Sequence, residues 1–193
     1  MFAYLQGKYT YKSPAQVYVD VNGVGYEVNI SLNTYSAIQN QNEGRLYTYL
    51  QIKEDGHVLF GFSDKDEKDI FLLLISVSGV GASTARVMLS SIKPDEISKA
   101  IVQGNVKLLE SVKGIGKKTA ERLVLELKDK VGKHYTGSVA PIAVSSLEND
   151  ALNALVALGI SKQQADQAIQ KTLLADSTID SLEVLIKLSL KAI

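Results

Sequence analysis

The chain has no cysteine and only two histidines, His57 and His134, in 193 residues. Without thiols there is no disulfide scaffold, no thiolate zinc site and no cysteine nucleophile, a composition suited to a reducing compartment. The histidines lie far apart with no metal-ligand spacing around them, so neither a metal nor another cofactor is expected. No stretch reaches the roughly eighteen apolar residues of a membrane span. Met1–Lys8 offers no basic flank ahead of an apolar run, so no signal peptide is expected and the chain reads as cytoplasmic. A Walker-type phosphate loop is missing as well. Gly114-Ile115-Gly116-Lys117-Lys118-Thr119 lacks the first glycine and a Ser/Thr directly after its Gly-Lys pair. Net charge is also lacking, with 21 Lys+Arg against 21 Asp+Glu.

That neutrality hides a segregation. Residues 111–133 carry seven Lys/Arg and three Asp/Glu, a net of +4. Residues 41–69 carry four against seven, and residues 147–193 four against six, nets of −3 and −2. Electrostatic binding follows the local face and not the sum. The basic segment is therefore a candidate surface for nucleic acid.

What the chain does have is a duplicated phrase. Leu74-Ile75-Ser76-Val77-Ser78-Gly79-Val80-Gly81-Ala82-Ser83-Thr84-Ala85 is echoed thirty-five residues later by Leu109-Glu110-Ser111-Val112-Lys113-Gly114-Ile115-Gly116-Lys117-Lys118-Thr119-Ala120. Seven of the twelve positions are identical, and Val80/Ile115 is a conservative pair. Each copy runs from an apolar helical stretch through Gly-aliphatic-Gly into a new helix. Glycine permits positive φ and close approach of another backbone. The aliphatic residue would pin the hairpin to the core, leaving amides and a helix N-terminus facing outward. Such a surface holds phosphate without reading sequence, and two copies could hold one phosphate on each strand of a duplex. A Gly-x-Gly between helices can also be only a tight connection, but duplication favours a tandem helix-hairpin-helix that grips the DNA backbone. Lys113, Lys117, Lys118 and Arg122 surround the second hairpin.

Three further regions flank this unit, giving an α+β multidomain chain. Residues 1–63 alternate at period two, with strands at Val17–Val21, Tyr26–Ile30, Leu46–Ile52 and Val58–Phe62. Asn22-Gly23 and Glu54-Asp55-Gly56 mark hairpins, and five or six short strands suggest an OB-fold barrel. Ser63 is the expected N-cap of the helical region 64–132, and Lys93-Pro94-Asp95-Glu96 opens a helix within it. Residues 133–146 read as a flexible tether. Residues 147–193 read as three short amphipathic helices (a UBA-like domain), broken at Gly159 and near Asp176-Ser177.

Barrel, tandem hairpins, tether and three helices in this order, with Gly23–Val28, Gly114–Leu123 and Leu155–Gly159, closely resemble the RuvA family of bacterial Holliday-junction-binding proteins. The resemblance covers essentially the whole chain. It implies a homotetramer holding an open four-way junction on one face, with one or two tetramers per junction left undecided. It implies delivery to a RuvB-type ring ATPase, contact with a RuvC-type resolvase, and a place in recombination, DNA repair and the SOS response to DNA damage.

Carried over residue by residue, the phosphate-binding amides would be Gly79, Val80 and Gly81, and Gly114, Ile115 and Gly116. Lys117, Lys118 and Arg122 would add charged contacts. Glu54 and Asp55 match the family's acidic pin at the junction centre, although Asp-Gly is also an ordinary turn. Leu155, Leu158 and Ile160 would dock the ATPase. The family commonly has a lysine after the first hairpin where this chain has Ala82-Ser83-Thr84, leaving Arg86 as a candidate substitute.

No catalytic constellation accompanies these features. A helix-hairpin-helix glycosylase needs a catalytic Asp and a base pocket, whereas the helix after Gly116 offers Glu121, Glu126 and Asp129 at salt-pair spacing. The expectation is a non-catalytic subunit that binds and presents DNA. A structure-specific nuclease and a protein-binding adaptor are the alternatives, separated by cleavage and gel-shift assays.

Overall fold

The computed structural model describes residues 2–54, 56–135, 143–176 and 178–192, with side chains excepted at 132–135 and 143–146. It divides into two compact units, residues 1–137 and 138–193.

The first unit begins with five strands: β1 (Tyr4–Ser13), β2 (Gln16–Val21), β3 (Val24–Ile30), β4 (Glu43–Lys53) and β5 (Gly56–Phe62). They close into a barrel of order β1-β2-β3-β5-β4, with β3 and β5 parallel and every other pair antiparallel. Alternation drives this closure, placing Leu5, Val17, Val19, Val28, Ile30, Leu46 and Leu59 inside. The Asn22-Gly23 turn forms as its residues demand, both at positive φ (52° and 87°), with Val21 paired to Val24.

One element was not legible in the alternation. A helix α1 (Leu32–Ile38) lies between β3 and β4, capped by Ser31, whose hydroxyl accepts from the Thr34 amide. Its buried Ile38 plugs the barrel core.

The helical part follows as α2 (Lys65–Ile75), α3 (Ala82–Ser91), α4 (Pro94–Gln103), α5 (Val106–Glu110) and α6 (Lys117–Tyr135). The cap of α2 is Asp64, one residue later than expected, because its carboxylate accepts from the Glu67 amide at 2.8 Å. Pro94 opens α4 as the sequence indicated, and Gly104 closes it in the left-handed conformation.

Strand β5 serves both cores. Leu59 faces the barrel interior, while Phe60 and Phe62 join the helical core, where Phe71 stacks on them at 5.4 and 4.8 Å. Sheet and helices thus share one hydrophobic wall, which fixes the hairpins against the barrel.

The second unit contains α7 (Ala143–Ala157), α8 (Lys162–Ala175) and α9 (Leu182–Ala192), packed on Ala151, Leu155, Ala165, Ile169 and Leu185. Gly159, at φ 93°, turns the chain between α7 and α8 as expected. The span read as a tether, 133–146, is shorter in helical terms: α6 continues to Tyr135 and α7 starts at Ala143. Residues 136–142 lie outside the described residues.

Candidate nucleic-acid interface

The two copies of the phrase build the same object. After α2, Ser76 Oγ donates to the Leu73 carbonyl at 2.7 Å; after α5, Ser111 Oγ donates to the Leu108 carbonyl at 2.7 Å. Gly79 and Gly114 follow at φ 94° and 95°, a conformation that side chains disfavour. The helices α3 and α6 then start with equivalent bonds, Ala85 N to Gly81 O at 2.9 Å and Ala120 N to Gly116 O at 3.0 Å. Val80 and Ile115 are buried to the same degree, at 5 % exposure each. They are the pins that the sequence pattern indicated.

The repeats also face each other across a local two-fold relation. A methyl group added at Gly79 would stand 3.9 Å from Thr119 Oγ1, and one at Gly114 would stand 3.8 Å from Thr84 Cγ2. Thr84 and Thr119 occupy equivalent repeat positions, so each hairpin rests on the helix of the other copy. Ala85 and Ala120, the next residues in each copy, are both fully buried.

The amides divide differently from the expectation. Those of Val80 and Ile115 point inward, donating to the Val77 and Val112 carbonyls at 3.1 and 3.0 Å. They are therefore not available to phosphate, a consequence of the tight turn that buries their side chains. Among the described residues, no hydrogen bond within the chain engages the amides of Gly79, Gly81, Gly114 or Gly116. The first-turn amides of α3 and α6, at Ala82, Ser83, Lys117 and Lys118, have no intrahelical acceptor by construction. These are the outward amides of the following helix start that the sequence pattern indicated.

Charge is unequal between the copies. Lys113, Lys117 and Lys118 are exposed and join no ion pair among the described residues. The first copy has Ser78, Ala82 and Ser83 in their places. Arg86 does not compensate. Its guanidinium donates to the Ala15 carbonyl at 3.2 Å and to Asn29 Oδ1 at 2.9 Å, tying α3 to the barrel. Arg122 is the cation nearest the first hairpin: it donates to the Ser78 carbonyl at 3.3 Å and pairs with Glu126 at 3.4 Å. Half its side chain remains exposed.

At the tip of the β4–β5 hairpin, Lys53 pairs with Gly56, and Glu54 follows the last paired residue of β4. Glu54 is exposed, flanked by an Ile52 that is 70 % exposed. Asp55 lies outside the described residues.

In the second unit the three apolar candidates separate. Leu155 is fully buried at the centre of the core and cannot form a docking surface, because three helices this short need it inside. Ile160 is half-buried against the same core. Leu158 is 63 % exposed, at the end of the α7 turn beside the exposed Val156.

Comparison with known proteins agrees with this architecture domain by domain. The RuvA N terminal domain matches residues 1–61, a SAM-like helix-hairpin-helix tandem matches residues 71–129, and the RuvA C-terminal domain matches residues 146–193. The chain is 48% identical over 194 residues to the Holliday junction branch migration complex subunit RuvA of Flavobacterium psychrophilum, with 99% of each chain covered. It is 46% identical to the protein of the same name from Christiangramia forsetii, again over 99% of each. Against that of Amoebophilus asiaticus it is 43% identical, covering 99% of this chain and 100% of the other. With all three domains matched in order and relatives this similar end to end, the chain belongs to the RuvA family.

Proposed function

We propose that this protein binds four-way DNA junctions without regard to sequence, as the non-catalytic subunit of a branch-migration complex. The carrying observation is the pair of hairpins matched in φ and hydrogen bonding, each with free glycine amides at a helix start and each beside the threonine of the other. Two anion sites related by a local two-fold suit the two backbones of one duplex arm. Phosphate contacts carry no sequence information, so the selectivity for a junction comes from presenting several such units at once. A homotetramer with four-fold symmetry supplies them, one unit per arm.

In this reading Gly79, Gly81, Gly114 and Gly116 receive phosphates together with the first-turn amides of α3 and α6. Lys117 and Lys118 add charge at the second site, and Arg122 serves the first from the opposite repeat. Glu54 and Asp55 stand at the junction centre, where like charge keeps the strands apart. Leu158 belongs to the surface offered to a RuvB-type ATPase, which does the work of ATP hydrolysis. A RuvC-type resolvase is the further partner, and the complex acts in the cytoplasm. The domain divisions 1–63, 64–132 and 147–193 describe the three tasks: centring, gripping and docking.

Competition between a four-way junction and linear duplex of the same sequences, with assembly mass measured in parallel, tests this reading. Preference for the junction by a tetramer, insensitive to scrambling the arm sequences, is the expected result. Equal affinity for both at moderate salt overturns it. Removing residues 133–193 should leave junction binding intact and abolish stimulation of the ATPase.

A further inference from the structure

Glu67 is a carboxylic side chain at 1 % exposure in the first turn of α2, at the end of that helix away from the first hairpin. It is hydrogen-bonded on both oxygens. Ser31 Oγ donates to Oε1, and Thr34 Oγ1 donates to Oε2 at 2.5 Å. Both donors are on α1 or its cap, the helix inserted between β3 and β4.

The protons leave little freedom. The Ser31 hydroxyl already accepts from the Thr34 amide at 3.0 Å, and the Thr34 hydroxyl accepts from the Ser63 amide at 3.1 Å. Each hydroxyl accepts one backbone N–H and directs its one proton to Glu67. The two hydroxyls thus hold both oxygens of a carboxyl whose pKa burial pushes up.

A burial cost of this kind is compensated only by hydrogen bonds, so the network is a fixed joint and not a surface contact. It connects two elements on which the function depends. α1 leads directly into β4, which carries the Glu54 hairpin at its far end. α2 leads directly into the first Gly-Val-Gly hairpin. The same seam is reinforced on α3, where Asn33 Nδ2 donates to the Leu89 carbonyl at 2.5 Å and Ser90 Oγ accepts from the Leu32 amide at 3.0 Å.

We infer that Glu67 is a positioning residue for junction recognition, clamping the barrel that bears the acidic hairpin at one angle to the helices that hold phosphate. A loose joint would leave each hairpin able to grip a duplex while the acidic loop wandered from the junction centre. Loss of the clamp therefore lowers junction selectivity without lowering duplex affinity. The selectivity half of this inference rests on the junction-binding reading; the mechanical half does not.

The chain has no cysteine, so two can be introduced for spin labels, at the exposed Thr10 on β1 and the exposed Gln103 on α4. Labelled chain diluted into excess unlabelled chain reports only the intrachain distance. The unsubstituted background should give one narrow distribution, and a broad one already overturns the inference. Glu67→Gln replaces one acceptor oxygen with a donor that faces a hydroxyl proton, and Thr34→Val removes one donor outright. Either should broaden the distribution and reduce the junction-to-duplex preference several-fold, with duplex affinity unchanged and Thr34→Ser restoring both. Should Glu67→Gln fail to fold, Thr34→Val makes the same demand. A variant that melts earlier but keeps the narrow distribution and full preference reduces Glu67 to a stability residue and sinks the proposal. A parent protein with no junction preference, yet a distribution that broadens on substitution, faults the junction reading and leaves the clamp standing.

Discussion

The two hairpins of the helical domain share a backbone, and the repeats around them differ in what their outer faces touch. The hairpins match in φ, in the serine that caps the preceding helix and in the buried aliphatic pin. Thirty-five residues on, however, each barrel-facing position of the first repeat has a different counterpart. Arg86, bonded to Ala15 and Asn29, corresponds to Glu121, and Ser90, bonded to α1, corresponds to Leu125, which is 83 % exposed; Glu67, clamped to α1, has at the same offset Val102, at the end of α4 where the helix breaks. The first repeat uses its polar residues to attach to the barrel. The second, freed from that attachment, carries Lys113, Lys117 and Lys118 instead. Duplication preserved the geometry that meets phosphate and let the two copies divide anchoring from charge.

If the geometry is what binds, breaking it in either copy should have the largest effect. Gly79→Val and Gly114→Val put a β-branched residue at φ near +95°, where there is space for a methyl group but backbone strain of about 1–3 kcal/mol. Released by opening the hairpin, that strain should weaken junction binding by roughly tenfold or more. Gly81→Ala and Gly116→Ala sharpen the point. Neither site has a positive φ or a neighbour within 4 Å, so folding should be unaffected while phosphate is held off. Normal binding by all four variants, in a gel-shift titration with melting temperatures alongside, would return the hairpins to a packing role.

The charge difference is tested by exchanging it. Lys117→Ala and Lys118→Ala should each weaken binding and flatten the salt dependence by about 0.9 log units per log salt for every phosphate no longer neutralised. Ser83→Lys, at an exposed first-turn position of α3, should do the reverse and steepen the slope by a similar step. An unchanged slope in Ser83→Lys would mean that no phosphate approaches the first hairpin.

These contrasts also show which parts of the molecule were legible beforehand. Hairpins and barrel were legible because glycine pairs, Asn-Gly and period-two alternation act locally and leave marks in a few adjacent residues. The inward turn of the Val80 and Ile115 amides was not, since a side chain's burial fixes its own N–H only once the turn has closed. Arg86 looked like a spare cation because its partners, Ala15 and Asn29, lie more than fifty residues away in sequence. Leu155 stood with Leu158 and Ile160 as a docking residue because the resemblance marks an apolar stretch without saying which of its residues reaches the centre of the core. α1 was missed for another reason. Seven residues are too few to show a helical period, and its cap uses a serine that a strand end would also tolerate.

A smaller effect is expected from the acidic loop, which belongs to neither repeat. Glu54→Gln with Asp55→Asn should fold unchanged, because Asn-Gly turns at least as well as Asp-Gly. Each carboxylate removed from about 6–8 Å of a phosphate relieves roughly 0.5–1 kcal/mol of repulsion before screening. The double variant should bind more tightly and discriminate less between junction and duplex. Equal affinity and equal discrimination would make these residues an ordinary turn.

The least effect on DNA affinity, and the clearest on stability, is expected from titrating the anchor of the first repeat. The Glu67 carboxyl pKa is raised above its ordinary 4.5, first by burial and then by the nearby Asp64 charge, against the opposing bonds from Ser31 and Thr34. A carboxyl whose pKa is higher folded than unfolded stabilises the fold fully at pH below the unfolded value. That contribution is lost as the pH rises through the folded value, because the folded protein must then hold the charge in its interior. Glu67→Gln does not titrate. The stability of the parent relative to this variant should therefore be greatest at the acid end, fall as the pH rises above 4.5, and level off once Glu67 is ionised. Denaturant melts of both proteins across that range give the difference directly. Val102, thirty-five residues on at the end of α4, carries no carboxyl, and Val102→Ala should show no such dependence. A parent-to-Gln difference that is flat with pH, or rises, would mean that the hydroxyl donors outweigh burial and that Glu67 is charged at no cost in the folded state.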